Sequence, residues 1–119
     1  MDATFFYLKS CNTCLNILKL LPETQAITLH EIKSTPITPE QLDGMHALAG
    51  SYEALFSRRS REYAARGLAQ QTLTEADYRR LILDHYSFLK RPVLVLDGRI
   101  WVGSDPKAMA AWQALTDAR

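Results

Sequence analysis

The apolar run Thr4-Phe5-Phe6-Tyr7-Leu8 gives way, after two polar residues, to Cys11-Asn12-Thr13-Cys14 and a helical stretch over residues 15–21 that stops at Pro22. Such a run suits a buried strand. Leu15, Ile17, Leu18 and Leu21 suit a helix, which proline cannot continue. Residues 26–32 place Ile27 and Leu29 between polar neighbours and predict a second strand. Strands joined by a helical crossover pair in parallel, and the resulting unit is right-handed. The chain therefore opens β-α-β, with two thiols at the first strand-to-helix turn.

Beyond a turn-rich connection, Thr38-Pro39-Glu40-Gln41 supplies an N-cap threonine, a first-turn proline and an N3 glutamine ahead of Leu42, Met45 and Leu48. Ala49-Gly50-Ser51 interrupts that helix. A short helical segment over residues 52–56 leads into the basic run Ser57-Arg58-Arg59-Ser60-Arg61, and Gly67 closes the next helix. Thr74-Glu75-Ala76-Asp77 repeats the capping-box pattern, with Tyr78, Leu81, Ile82 and His85 at helical spacing up to a predicted end near Tyr86. Pro92, lacking an N–H for a ladder, suits the start of a strand. Val93-Leu94-Val95-Leu96 and Arg99-Ile100-Trp101-Val102-Gly103 flank Asp97-Gly98, a hairpin signal, and Asp105-Pro106 opens a last amphipathic helix with Met109, Trp112 and Leu115. The order β-α-β, helical insertion over about residues 38–86, β-β-α predicts an α/β fold. We expect one domain, residues 1–119, built on a four-stranded mixed sheet flanked by helices. At 47% hydrophobic content it can bury a core without disulfide support.

Backbone N–H groups in the first turn of a helix lack intrahelical partners and carry partial positive charge, so a sulfur held against them is favoured as thiolate. Cys11 is the nucleophile candidate. Cys14, one turn further in, is placed to attack a mixed disulfide on Cys11 and release its cargo. A zinc site would need two more ligands at short spacing, but no other cysteine exists and His30, His46 and His85 are scattered. An inert buried pair remains the alternative to redox chemistry. The net charge of +1 argues against direct nucleic-acid binding. No apolar stretch approaches the roughly 20 residues of a membrane span, and Met1-Asp2-Ala3-Thr4 lacks a basic signal region, so a cytoplasmic protein without membrane contact is expected. In a reducing cytosol, thiols at this spacing are expected to cycle between dithiol and disulfide.

Guanidinium groups bind oxyanions and stabilise thiolates, which makes the arginines the other chemical candidates. Arg58, Arg61 and Arg66 read as a solvated basic face. His85 shares a face with Leu81 and Ile82 and reads as packing, Trp101 and Trp112 read as core, and Tyr7 reads as a packed strand residue, with lining of the thiol site as the alternative.

With the dithiol, the segment Ala54-Leu55-Phe56-Ser57-Arg58-Arg59-Ser60 and the segment Leu89-Lys90-Arg91-Pro92-Val93, followed by Val102-Gly103, the chain resembles the arsenate-reductase-like family, a group that includes Spx-type transcription regulators. The resemblance runs nearly the full length. It implies a thioredoxin-like core with a helical insertion, a nucleophilic Cys11, and a cis Arg91-Pro92 bond facing the site. In such arsenate reductases the thiolate attacks arsenate, arginines hold its oxygens, and glutathione and glutaredoxin complete the cycle. Cys11 matches the nucleophile and Arg91 the arginine before the proline. The candidate catalytic residues are thus Cys11, Cys14 and Arg91, and the candidate substrate-binding residues Arg59, Arg91, Pro92, Asn12 and Thr13.

The chain departs from the arsenate reductases at three positions. Ser57 and Gly103 stand where those enzymes carry arginines, and Leu15 stands where a basic residue commonly follows the dithiol. Arg59 matches instead an arginine of the Spx-like and uncharacterised branches. A resolving Cys14 within the motif suits an intramolecular disulfide. The expected function is a thiol-dependent oxidoreductase with no bound cofactor. Its substrate would be an oxyanion or a disulfide, and its reductant glutathione with glutaredoxin, thioredoxin, or another thiol. The alternatives are a redox-sensing regulator that binds RNA polymerase and an adaptor with a vestigial dithiol.

Overall fold

Four strands, β1 (Ala3–Tyr7), β2 (Ile27–Glu31), β3 (Val93–Leu96) and β4 (Arg99–Val102), form one sheet in the order β2-β1-β3-β4 in the computed structural model, which describes residues 3–21 and 27–117. The α/β class and the mixed sheet are as the sequence predicts. β1 runs parallel to β2, from Ala3 opposite Ile27 to Tyr7 opposite Glu31, and antiparallel to β3. The β3–β4 hairpin turns through Asp97 and Gly98, whose φ values of 52° and 73° are the paired positive angles of a type I′ turn. The predicted helix stop at Pro22, the predicted first residue of the second strand, Ala26, and Met1-Asp2 lie outside the described residues.

The chain divides into two compact units, one from its two ends (up to Thr35 and from Arg91) and one from Pro36–Lys90. In the first unit, α1 (Asn12–Leu20) and α5 (Pro106–Asp117) pack on the sheet face that carries Ala3, Phe5, Tyr7, Leu94 and Trp101. Trp112 anchors α5. Its ring meets the Phe5 ring edge-on at 6.3 Å, stacks near Trp101 at 6.4 Å, and donates Nε1–H to the Gly103 carbonyl at 2.9 Å. Ile27 packs against this cluster, whereas Leu29 is 51% exposed. A strand at the sheet's edge has a neighbour on one side only, and less covers it.

Glu31 closes β2 and gathers four donors: Lys9 N–H at 3.1 Å, Lys33 N–H at 3.1 Å, Ser34 N–H at 2.7 Å and Ser34 O–H at 2.9 Å. The Ser34 N–H, followed by those of Lys9 and the others, holds the carboxyl at about 2, below its ordinary value. A value lowered by folding means the carboxylate contributes fully above the ordinary range near 4.3 and loses its contribution as pH falls through 2. The difference in thermal midpoint between wild type and Glu31→Gln should therefore be largest above about pH 5 and shrink towards pH 2. A gap that stays constant across that range would show that the charge contributes nothing.

The second unit holds α2 (Pro39–Ala49), α3 (Arg61–Ala65) and α4 (Glu75–Asp84). Both predicted capping boxes form. Thr38 Oγ accepts Gln41 N–H at 3.1 Å while Gln41 returns an oxygen to Thr38 N–H at 2.9 Å, and Thr74 and Asp77 do the same for α4. Gly50 ends α2 at φ 95°. The segment after it is a 3-10 turn, Glu53–Leu55, and α3 stops at Ala65, ahead of Gly67 at φ 65°. α4 ends two residues earlier than predicted. His85 is its C-cap rather than part of its apolar face, and Nδ1 accepts the Ser87 N–H at 3.2 Å. Arg58 pairs with Glu53 at 2.8 Å and lies over the Tyr78 ring, and Arg66 pairs with Glu62 and Asp84. These two arginines are structural. No helix among the described residues is long and apolar enough to cross a membrane.

Candidate functional site

β1 delivers the chain to a turn over residues 8–11, closed by Cys11 N–H donating to the Leu8 carbonyl at 3.1 Å. Neither Lys9 nor Ser10 has a positive φ, which leaves a type I turn. Cys11 then sits in extended conformation as the N-cap of α1, its Sγ accepting the Cys14 N–H at 3.4 Å. The helix thus begins at Asn12 rather than at residue 15. Sulfur occupies the position that a serine or aspartate oxygen takes in most caps. The half-exposed Cys11 faces the positive end of α1, while Cys14 is wholly buried among Tyr7, Ile17 and Leu94.

Both cysteines are free thiols, and they differ sharply in environment. Burial, reinforced by the hydrogen bond and charge of Cys11, pushes the Cys14 thiol up to about 12, against the opposing pull of the Leu8 backbone and the Arg91 charge. At neutral pH Cys14 is held as the protonated thiol. The pair therefore offers one accessible sulfur and one sheltered, protonated sulfur.

Arg91 is half-buried, and its charge acts on Cys14. The Arg91-Pro92 bond is cis, as the family resemblance implies. Pro92 is buried immediately before β3, and its carbonyl accepts Gly103 N–H at 2.9 Å. Asn12 and Thr13 are exposed in the first turn of α1. Cys11, Cys14, Asn12, Thr13, Arg91 and Pro92 all belong to the first unit. Arg59 belongs to the helical unit, where it is exposed and its N–H donates to Ser57 Oγ at 3.3 Å.

Gly103, standing where the resemblance places an arginine, has φ 81°. Side chains rarely adopt that conformation, and both of its backbone polar groups are engaged, by Pro92 and Trp112. The departure is therefore built into the backbone. Glu31 is the residue that sequence reasoning missed. Its link to Lys9, two positions before Cys11, spans 22 residues and leaves no local signal. The one hint available is that the second residue of a β-turn has an N–H the turn itself does not satisfy.

A search among curated proteins finds no match. Among solved structures, the YFFB protein is 31% identical, with a TM-score of 0.76 and coverage of 92% of this chain and 96% of that one. An ArsC family related protein from Bacteroides fragilis is 24% identical, with a TM-score of 0.78 and coverage of 94% and 98%. The arsenate reductase from Vibrio cholerae is 18% identical, with a TM-score of 0.77 and coverage of 93% and 96%. The latter two likenesses establish the shared thioredoxin-like fold. The ArsC family model matches residues 6–112, from the first strand through the insertion to the last helix. On that match, which takes in the dithiol turn, the insertion and the cis-proline strand alike, the chain belongs to the ArsC family.

Proposed function

We propose that the protein is an arsenate-reductase-like thiol oxidoreductase in which Cys11 is the nucleophile, Cys14 the resolving thiol, and glutathione or another thiol the reducing co-substrate. Membership of the ArsC family supports a thiol-dependent oxidoreductase at the level of the family. One observation carries the finer reading. The accessible sulfur caps a helix, and its buried partner sits one turn away, held by burial as the protonated thiol.

Cys11 sulfur attacks a disulfide R–S–S–R′, forming Cys11–S–S–R and expelling R′S⁻. That capture removes the charge on Cys11, and with it the like-charge opposition to ionising Cys14. The Leu8 hydrogen bond and the Arg91 charge remain in its favour. Cys14 attacks the Cys11 sulfur, its proton leaves with the expelled fragment as RSH, and the Cys11–Cys14 disulfide forms. Two glutathione molecules restore the dithiol and leave as one oxidised glutathione. Arsenate fits the same electron count. A Cys11–As bond forms with loss of water, and closing the intramolecular disulfide passes two electrons to arsenic and releases arsenite. Arg91 supplies positive charge to an anionic oxidant, and Arg59 is the second arginine the resemblance marks.

NADPH consumption coupled through glutathione, glutathione reductase and glutaredoxin tests this with arsenate and with a disulfide as alternative oxidants. Arsenate turnover in which Arg91→Ala raises KM about tenfold assigns the oxyanion to Arg91, and Arg59→Ala measures the second arginine in the same way. Turnover with the disulfide alone assigns disulfide reduction. No turnover with either, together with capture of RNA polymerase by the oxidised protein, would move the dithiol to redox-controlled protein binding.

A further inference from the structure

The turn over residues 8–11 bears on both thiols. Its first carbonyl, Leu8, accepts the Cys11 N–H, and its last residue, Cys11, caps α1 with the sulfur that accepts the Cys14 N–H at 3.4 Å. A type I turn closes with one hydrogen bond and leaves the N–H of its second residue to find an acceptor elsewhere. Here that residue is Lys9, and the acceptor is Glu31 Oε2 at 3.1 Å. The register makes this contact a consequence of topology. Tyr7 and Glu31 are partners at the ends of parallel strands, and Ile32 N–H extends the ladder to the Tyr7 carbonyl at 3.0 Å. The other carboxylate oxygen is held by Lys33 N–H, Ser34 N–H and Ser34 O–H, so the group cannot swing away from Lys9 without breaking bonds on its own side.

We propose that Glu31 is a positioning residue for the nucleophile: by anchoring Lys9 N–H it fixes the turn from which Cys11 hangs, and so aligns the Cys11 sulfur on the end of α1. This rests on the reading of Cys11 as nucleophile. Glu31 meets neither sulfur nor substrate in this role. Its effect passes through the backbone of residues 9–11.

The test is the iodoacetamide alkylation rate of Cys11 at neutral pH, followed on the Cys11 peptide by mass spectrometry in the full chain, with kcat and KM measured alongside. Glu31→Ala should slow alkylation about tenfold or more and lower kcat in step with KM unchanged, since misplacing a reacting group by an ångström costs up to about 10²-fold. Glu31→Gln, which keeps one oxygen acceptor, should fall between. Added formate, a carboxylate small enough to refill the site, should restore Glu31→Ala. A folded Glu31→Ala that alkylates at the wild-type rate overturns the proposal. If Glu31→Ala does not fold, Glu31→Gln decides, and an unchanged rate there overturns it equally. Alkylation uses no substrate, so the outcome is readable even if Cys11→Ser were to keep its turnover and the nucleophile reading failed.

Discussion

Cys11→Ser brings thiol transfer down to the uncatalysed background, a loss of at least about 10³-fold in kcat, because a serine hydroxyl does not ionise at working pH and cannot form the mixed disulfide. The loss is chemical rather than structural. Serine is among the best N-cap residues, so α1, which begins on the position-11 side chain, keeps its cap. Cys14→Ser behaves differently. Its first half-reaction proceeds, one equivalent of leaving group is released, and the protein gains the mass of the captured fragment at Cys11. Continued turnover then depends on the concentration of external thiol. Intact-mass spectrometry and the burst amplitude read both variants. Turnover of Cys11→Ser near the wild-type rate would end the nucleophile assignment. Cys14→Ser cycling normally without an adduct would remove Cys14 from the reaction and leave the external thiol to resolve.

The second large effect is on stability. Trp112→Ala should cost about 4–6 kcal/mol, since truncating a fully buried tryptophan costs about 3–5 kcal/mol, and the Gly103 carbonyl loses its donor for about 1 kcal/mol more. A domain of this kind has only about 5–15 kcal/mol in total, so the variant should lose about a third or more of its stability. Trp112→Phe separates the two contributions by keeping a ring while dropping the N–H. Urea denaturation midpoints with unchanged slopes give the comparison. A Trp112→Ala cost under about 1 kcal/mol would mean that the site collapses freely, contrary to its place among Phe5, Trp101 and Leu94.

What the sequence discloses follows from how local the cause is. The boxes at Thr38 and Thr74 and the Asp97-Gly98 turn are decided by side chains within three residues of the backbone they satisfy, and all three form where the pattern puts them. α1 starts at Asn12, three residues ahead of the apolar stretch from Leu15, because its first turn, Asn12-Thr13-Cys14, opens on polar residues that carry no apolar period. His85 was misplaced because helical spacing cannot tell a last-turn residue from the cap beyond it. Leu29 shows the same limit for strands, where period two assigns faces but not what covers them. The cis Arg91-Pro92 bond was legible through resemblance, and the placing of Cys11 and Cys14 at a strand-to-helix turn through motif. Glu31 was not, because its partner becomes a neighbour only when two strands pair.

The central strand also bears on how the protein is made. β1 takes β3 as one of its two neighbours, Ala3 lying opposite Leu96 and Phe6 opposite Val93, with the whole helical insertion between them in the chain. On the ribosome, at about 5–20 residues per second, the Phe5-Phe6-Tyr7 edge emerges on the order of five to fifteen seconds before its antiparallel partner. During that interval β2 can dock but the sheet cannot close, and the dithiol turn is synthesised long before the strand that begins at Val93 to complete its surroundings. The dithiol therefore reaches its final surroundings only after β3 has emerged and paired with β1.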